Sequence, residues 1–473
     1  MPNIRELQRR LSQWATDHKE ERYRDLMNLV CNPEWLYQAY RNVAGNKGAQ
    51  TPGVDGLTLR KWEENSEARM EKLRTSLCTG KYRPQPTRRV YIPKKDGKRR
   101  PLGITTFRDK IVQEAIRMAI EPIFEADFHP YSFGFRPNRS THDAKAAVRT
   151  YMMNRRRMYY VIEGDIKGYF DTVQHKKLMR LIKRRIADKR VLNLIWLFLK
   201  AGVMEEGLYK DTNRGVPQGG VISPLLSNIY LHELDRYIAG RFLGKTPSQQ
   251  NKNRKLGKGN AGYVRYADDW LFFYNGHVQD VRQLKVEFAN FLQNELHLTL
   301  SPEKTLITHV NDGFEFLGFR FYRGVAGDGG WKHKTAIPQN KVRAVKDKVK
   351  ALTESNRIYM NESAVISNIN RVLRGWGNYY RHVPASKTFN AIDHYVFNRV
   401  VRWYRLKYKW TWRQVIKRRY ICAGRDKRLF AEWDGPEGRK RVHLLCLVRD
   451  VRFSKYFHRK KDNPFLAEHP NTH

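Results

Sequence analysis

Residues Tyr263-Val-Arg-Tyr-Ala-Asp-Asp-Trp-Leu-Phe-Phe-Tyr274 place two adjacent carboxylates between two apolar, β-forming runs. Aromatic and branched residues favour a pleated surface and aspartates favour a turn, so the segment reads as a hairpin with Asp268 and Asp269 at its tip. Alternation along a strand aims the two side chains apart, yet a tight turn brings both near one ion. Oxygen donors of this kind suit magnesium, which binds one or two carboxylates together with substrate phosphates. The bland alternative is an Asp-Asp turn that merely faces water. Such a turn has no need of strongly apolar strands on both sides.

A further carboxylate stands in Val161-Ile-Glu-Gly-Asp-Ile-Lys-Gly-Tyr-Phe-Asp171. Asp165 closes a strand that reads as buried, where an unpaired charge is expensive; a metal shared with Asp268 and Asp269 removes the penalty. Glu163, on the same strand face, and Asp171 are rivals, and Asp171 also reads as a cap of the next helix.

Charge narrows the class of partner. Lys and Arg number 90 against 47 Asp and Glu, a formal net charge of +43. Self-repulsion on that scale calls for a polyanion. Nucleic acid, which releases counterions from its phosphates on binding, fits better than a membrane surface, because no basic amphipathic helix with a clean apolar face stands out. Hydrophobic residues at 41 % exclude global disorder, and 473 residues call for two to four domains. Cys31, Cys78, Cys422 and Cys446 form no CxxC pair and read as free thiols in a reducing cytoplasm. No signal peptide is expected, and the run from Leu192 to Val203 reads as a buried helix too short to span a bilayer. The expectation is an intracellular protein.

Residues 1–80 read as helices around a Gly-, Asn- and Pro-rich loop at 45–56. A hairpin is expected at 88–104, then helices at about 108–126 and 141–157, the second capped by Ser140 and Thr141. A strand at 159–166, a helix at 222–240, a basic loop at 244–262, a helix at 278–296 and a strand at 314–322 follow. Short strands interleaved with helices fit an α+β domain with an antiparallel sheet. Past about residue 335 the chain reads as helical, and residues 331–473 hold 33 Lys or Arg against 11 Asp or Glu. That part reads as a separate nucleic-acid-binding unit.

The motifs carry a resemblance. Tyr-Ala-Asp-Asp at 266–269 with Asp165 upstream resembles the catalytic motifs of reverse transcriptases. Thr51-Pro-Gly-Val-Asp-Gly56, Arg100-Pro-Leu-Gly-Ile104, Ser132-Phe-Gly-Phe-Arg-Pro-Asn-Arg-Ser140, Gly215-Val-Pro-Gln-Gly-Gly220, Phe316-Leu-Gly-Phe319 and Gly375-Trp-Gly-Asn-Tyr-Tyr-Arg381 follow one order. It is similar to that of group II intron-encoded reverse transcriptases and maturases. The resemblance implies a right-hand polymerase: an N-terminal extension and start of the fingers at 1–80, fingers and palm at 81–330, and a helical thumb or maturase domain at 335–420. At 421–473 it implies a basic DNA-binding-like segment without the HNH endonuclease of many relatives, since their paired cysteines are absent here.

It implies an RNA-directed DNA polymerase that copies intron RNA and assists its splicing, with two magnesium ions held by Asp165, Asp268, Asp269 and the Ile166 carbonyl. Lys94 and Arg100 match residues that hold the incoming triphosphate, or else form a solvated basic hairpin. Phe170 matches the steric gate against a ribose 2′-hydroxyl, or is core, in competition with Tyr169. Gln218 matches the glutamine against the nascent base pair. Lys304 matches a proton donor to pyrophosphate, or is a surface lysine, and Phe316–Phe319 resembles a primer grip. Nucleic-acid contacts are carried over onto Arg136, Arg139, Arg374, Tyr379, Tyr380, Arg381, Arg402, Lys407 and Arg413. Trp403, Tyr404, Tyr408, Trp410 and Trp412 divide between base stacking and thumb core. Implied partners are group II intron RNA, a DNA target and primer, and dNTPs, in a bacterial cytoplasm with nucleoid association during mobility. The rivals are a domesticated reverse transcriptase in phage defence or repair, a splicing factor with a dead polymerase, and an RNA-dependent RNA polymerase. Intact aspartates argue against the second, and Phe170 against the third.

Overall fold

The computed structural model describes residues 3–93, 97, 99–153, 158–205, 208–210, 213–325, 330–423, 426–434, 440–457 and 463–467. They divide into two compact units, the first made of the described residues of Met1–Tyr151, Arg157–Thr308 and Arg459–His473, the second of those of Met152–Arg156 and His309–His458.

The first unit is organised around helix Phe107–Glu125, started by Thr106, whose hydroxyl accepts from the Asp109 amide. Ile111, Val112, Ala115, Ile116, Ala119 and Ile120 are buried on all its faces, so the helix is interior. N-terminal helices Ile4–Asp17 and Pro33–Ala44 pack on it. The Trp35 indole donates to Ala115 O at 3.0 Å and the Gln8 amide to Met118 O at 2.9 Å.

Two four-stranded sheets complete the unit. One has the order Arg99–Ile104, Thr87–Pro93, Val203–Glu205, Leu208–Lys210, antiparallel except where Thr87 and Arg88 run parallel to Val203 and Met204. The other has the order Ala261–Tyr266, Asp269–Tyr274, Tyr160–Gly164, Leu306–His309. In it Asp269–Tyr274 is central, and both of its faces are covered. Trp270 and Phe272 pack on Phe288 of helix Val278–Leu296, at ring distances of 5.7 and 4.9 Å. Phe273 points the other way and stacks on Tyr151 of helix Thr141–Met152 at 5.2 Å. A near-continuous apolar run is what a strand buried on both faces requires.

In the second unit, strands Phe314–Phe316, Phe319–Val325 and Trp331–Ala336 form an antiparallel sheet, followed by helices Gln339–Leu352, Glu362–Tyr380, Ser386–Tyr408 and Trp412–Arg419.

Most elements fall where the pattern puts them, and four departures have local causes. The strand expected at 314–322 is broken, because Leu317 and Gly318 both have positive φ, 50° and 73°, and make a two-residue hairpin turn. The basic stretch 244–262 contains helix Pro247–Lys255, nucleated by a reciprocal cap between Thr246 and Gln249 with Pro247 in the first turn. The helix begun at Thr141 ends at Met152, ahead of 157. The C-terminal part is not wholly helical: Tyr420–Ala423, Asp426–Asp434 and Lys440–Leu444 form an antiparallel meander.

That meander does not stand apart as its own segment. Leu429, Phe430 and Ala431 are buried, and Tyr404 donates to Phe430 O at 2.8 Å while also bonding Glu362. Asp393 accepts from the Val448 and Arg449 amides. The division between the units falls at Thr308–His309, ahead of 330–335, because the 314–336 sheet pairs only with itself and stacks Phe319 on Tyr379 of the following helix. Among the described residues no helix is long and apolar enough to cross a membrane. All four cysteines are free, but Cys31 and Cys78, 47 positions apart in the chain, lie against each other, and burial pushes the Cys31 thiol up to about 12.

Removing the Tyr404 hydroxyl leaves the buried Phe430 carbonyl without that donor. Tyr404→Phe is expected to lower stability by about 1–3 kcal/mol, read from denaturant unfolding. An unchanged midpoint would mean that this bond does not tie the meander to the helix.

Candidate active site

Tyr266 pairs with Asp269, which leaves Ala267 and Asp268 as a two-residue turn between the central strands. Ala267 takes a left-handed φ of 56°, unusual for a residue with a Cβ, and the backbone of Gly134 lies directly against it. A Cβ on Gly134 would sit 2.3 Å from the Ala267 nitrogen, so only glycine allows this approach.

The neighbouring strand ends with Gly164 opposite Trp270, in a register that carries Asp165 alongside Asp269 one step further on. Trp270 lies over Gly164, where any Cβ would strike the indole. Asp165 is then held by its backbone. Its carbonyl accepts from Ser301 N at 2.8 Å, and Lys167 N donates to Thr299 O at 2.9 Å across the bridge between Ile166 and Leu300. That bridge uses the carbonyl of Asp165 and not the carbonyl of Ile166.

The three carboxylates feel one another. Burial pushes the Asp269 carboxyl up to about 6, with the Asp268 and Asp165 charges adding to the rise, while Lys304 and Arg100 oppose it. Burial also raises Asp268, again with Asp165 adding to the effect. Carboxylates gathered where their mutual repulsion is unscreened are a site for cations. Among the described residues no three His, Cys, Asp or Glu side chains close on a common point.

The neighbours sort the rival readings. Glu163 accepts a hydrogen bond from the Thr308 hydroxyl and does not join the aspartates. Asp171 caps no helix: it lies inside the turn Tyr169–Thr172, and Gln174 precedes the next helix. Instead it lines a cavity of about 620 Å³ with Gln218, Arg89 and Arg214. Tyr169 is the core residue, fully buried with its hydroxyl on Ser227 O at 2.7 Å, which leaves Phe170 beside it half-buried. The Phe170 carbonyl accepts from Val216 N at 2.7 Å, and Gln218 O accepts from Gly103 N at 2.7 Å. The Gly215–Gly220 turn is thus tied to both the Phe170 segment and the Arg99–Ile104 strand. Gly219, at φ 115°, lets that approach happen: a Cβ there would meet Gly103 O at 2.9 Å.

Lys304 reaches Asp165, Nζ to Oδ2, at 3.3 Å. Arg100 is exposed at the end of its strand, with its charge felt at Asp268 and Asp269. Lys94 lies outside the described residues.

Several residues expected to touch nucleic acid also make hydrogen bonds within the protein. Arg136 is buried, clasps Glu125 through Nε and Nη2, and gives Nη1 to the carbonyls of His129 and Ser132. Arg139, its side chain nearly buried, donates to Pro130 O. Tyr379 and Tyr380 spend their hydroxyls on the carbonyls of Leu317 and Gly318, holding the hairpin turn of their own unit. Lys407 donates to Ile358 O and Met360 O. Each of the five thus has at least one donor engaged within its own unit.

Arg374, Arg402 and Arg413 remain exposed. Arg374 and the half-buried Arg381 line a hollow of about 530 Å³ together with Arg428, Arg452, Asn378 and Asp450. Arg428 forks onto Asp450 at 2.7 and 3.0 Å, so four guanidinium groups face one carboxylate. Sequence reading missed Arg428 and Arg452, which no motif marks. It also missed Arg265 and Asp235, a fully buried ion pair beneath the Ala267–Asp268 turn. A charged residue inside the apolar run 263–274 was the available signal.

The family description "Reverse transcriptase (RNA-dependent DNA polymerase)" matches residues 92–321, and "Group II intron, maturase-specific domain" matches 342–421. Protein YkfC of Escherichia coli K12 is 43 % identical over 372 residues, covering 75 % of this chain and 98 % of its own. The group II intron-encoded protein LtrA of Lactococcus lactis subsp. cremoris is 34 % identical over 457 residues, covering 82 % of this chain and 75 % of its own. A putative COX1/OXI3 intron 1 protein of Saccharomyces cerevisiae is 32 % identical over 339 residues, covering 64 % of this chain and 40 % of its own.

Proposed function

The chain belongs to the group II intron-encoded reverse transcriptases and maturases, and from that premise we propose how its own residues polymerise DNA and hold RNA. It is an RNA-directed DNA polymerase of right-hand architecture with a maturase domain. In our reading residues 1–80 extend the fingers, the rest of the first unit supplies fingers and palm, and the helices of the second supply the thumb. Intron RNA is the template and binding partner, a DNA strand the target and primer, and dNTPs the monomers.

Asp165, Asp268 and Asp269 would hold two magnesium ions, with the Ile166 carbonyl as a further donor. Bound there, the ions supply activation of the primer 3′-hydroxyl and neutralisation of charge on the triphosphate and the leaving pyrophosphate. The observation that carries this reading is the register that sets Asp165 beside Asp269, one residue from Asp268. The protein's share is positioning and charge stabilisation. Arg100 meets the incoming triphosphate. Lys304, paired with Asp165, would pass a proton to the leaving pyrophosphate. Phe170, with Tyr169 locked in the core beside it, closes the space a ribose 2′-hydroxyl needs. Gln218 lies against the nascent base pair.

In the second unit the hollow of Arg374, Arg381, Arg428 and Arg452 grips RNA phosphates, with Arg402 and Arg413 as outlying contacts. Guanidinium forks suit phosphate oxygens better than point charges do.

The deciding experiment is primer extension on an RNA template, comparing dNTPs with rNTPs, with and without magnesium. Synthesis that needs neither dNTPs nor a divalent ion would end the proposal. Asp268→Ala is expected to abolish cDNA synthesis while RNA affinity holds in a filter-binding assay; equal synthesis by the variant would remove Asp268 from catalysis. Phe170→Ala should relax discrimination against rNTPs by roughly 100-fold with dNTP incorporation retained, and an unaltered ratio would deny it the gate. Replacing Arg374 and Arg381 by Gln should flatten the dependence of log affinity on log salt by roughly one to two. An unchanged slope would place the phosphates elsewhere.

A further inference from the structure

Beneath the catalytic turn lies an arrangement that the chemistry above does not use. Arg265 and Asp235 are both fully buried, in a strand and a helix of the first unit. Arg265 Nε and Nη2 fork onto Asp235 at 2.7 and 2.6 Å, and the Tyr263 hydroxyl adds a third donor to the same carboxylate at 2.8 Å. Burial alone would raise the Asp235 carboxyl; the Arg265 charge outweighs it and holds the group well below the usual carboxylate range. The bidentate fork and the lowered carboxyl both favour the ionised pair.

A buried pair of this kind is weak evidence for stability, since apolar residues of the same volume often serve as well. What an apolar replacement could not do is use the remaining guanidinium nitrogen. Arg265 Nη1 donates to Ala267 O at 2.9 Å, the carbonyl that leads into Asp268, and to Asn228 Oδ1 at 3.0 Å. Asn228 in turn donates from Nδ2 to Gly134 O at 2.8 Å. Gly134 is the residue whose backbone presses on the Ala267 nitrogen. One guanidinium thus holds the left-handed turn residue through its carbonyl and, by way of Asn228, the backbone that abuts its nitrogen. On the far side, Arg265 N and O bond Tyr131 O and Phe133 N, both at 2.9 Å, so the strand cannot slide.

We propose that Arg265, oriented by Asp235 and linked through Asn228 to Gly134, is a positioning residue that sets the height and angle of Asp268 and Asp269 at the end of the sheet. The inference rests on the reading of those aspartates as metal ligands. It explains why the site needs a planar fork: a lysine keeps the charge opposite Asp235 but has one nitrogen where Arg265 serves its acceptors from three, Nε, Nη1 and Nη2. It also explains why the turn tolerates a left-handed alanine, since backbone strain of this sort persists only where the surroundings over-determine it.

The test uses the full chain carrying Arg265→Lys or Asn228→Ala, with Asp268→Ala as control. Three quantities are read on poly(rA) primed with oligo(dT): kcat per folded molecule, KM for dTTP, and the Kd for primer–template. Binding of Mn2+ alone is followed by electron paramagnetic resonance. A displaced carboxylate pair should lower kcat by roughly 100-fold and weaken Mn2+ binding, while KM and the primer–template Kd stay within about threefold. A merely structural role would lower the melting temperature and leave kcat per folded molecule and Mn2+ affinity near wild type; that result overturns the proposal. Should Arg265→Lys not fold, Asn228→Ala decides alone, because it leaves the ion pair intact. Full synthesis by Asp268→Ala would instead sink the reading of the aspartates, and the two failures are distinguishable.

Discussion

Three negative charges crowded at the end of one sheet repel one another, and the first unit is arranged to keep them there. Burial raises the cost of ionising Asp268 and Asp269, and the neighbouring Asp165 charge adds to it at both. Without a cation the arrangement is a liability that folding has to offset elsewhere. The offset is visible on both sides of the site. Apolar rings bury the strands, and Lys304 and Arg100 supply opposite charge from the edges. The large core around helix Phe107–Glu125 lends the rigidity that lets unfavourable contacts persist.

How far the sequence discloses this depends on whether the controlling interaction is local. The hairpin expected at 263–274 was legible because apolar, β-forming runs flank the aspartates, but its turn is Ala267–Asp268, with Asp269 already in the strand, and not Asp268–Asp269. The buried helix at 107–125 and the amphipathic helix at 278–296 were likewise legible from local pattern. The Phe316–Phe319 run was read as continuous strand because three apolar side chains outvoted one glycine; the left-handed Leu317 is imposed by its neighbours, with Tyr379 and Tyr380 bonding the turn from a helix about 60 positions later in the chain. The helix at 247–255 is a different failure. Its capping signal, Thr-Pro-Ser-Gln, was present and was outweighed by a run of polar and basic residues.

Within the site, the three aspartates could be located from motif and burial, but the sorting of Glu163, Asp171 and Tyr169 could not. Their partners, Thr308, the cavity beside Gln218, and Ser227, are brought to them by the fold. Arginine was the least legible residue. A chain with so many cations offers every arginine as a candidate for phosphate, and residue type says nothing about whether its five donors are already spent. Arg136, Arg185 and Arg399 each give theirs to backbone carbonyls or buried carboxylates, whereas Arg374, Arg381, Arg428 and Arg452 converge on a hollow with one acid among them.

The two uses have different physical requirements. A phosphate contact needs a charge that can shed water and counterions on binding, so the side chain must be reachable and its loss should be felt in proportion to salt. A carbonyl contact needs geometry, and its loss is felt as displacement of whatever the carbonyl belongs to. Arg265 stands at the extreme of the second kind: it is sealed from solvent and all four of its recorded acceptor atoms lie within the first unit. Its charge cannot attract nucleic acid through that wall to any useful degree, so the net positive charge of the chain does not explain it. What remains is the position of the turn. A polymerase that relies on alignment rather than covalent chemistry places its demands on such backbone supports, and loses rate when they move even though every ligand-touching side chain is still present.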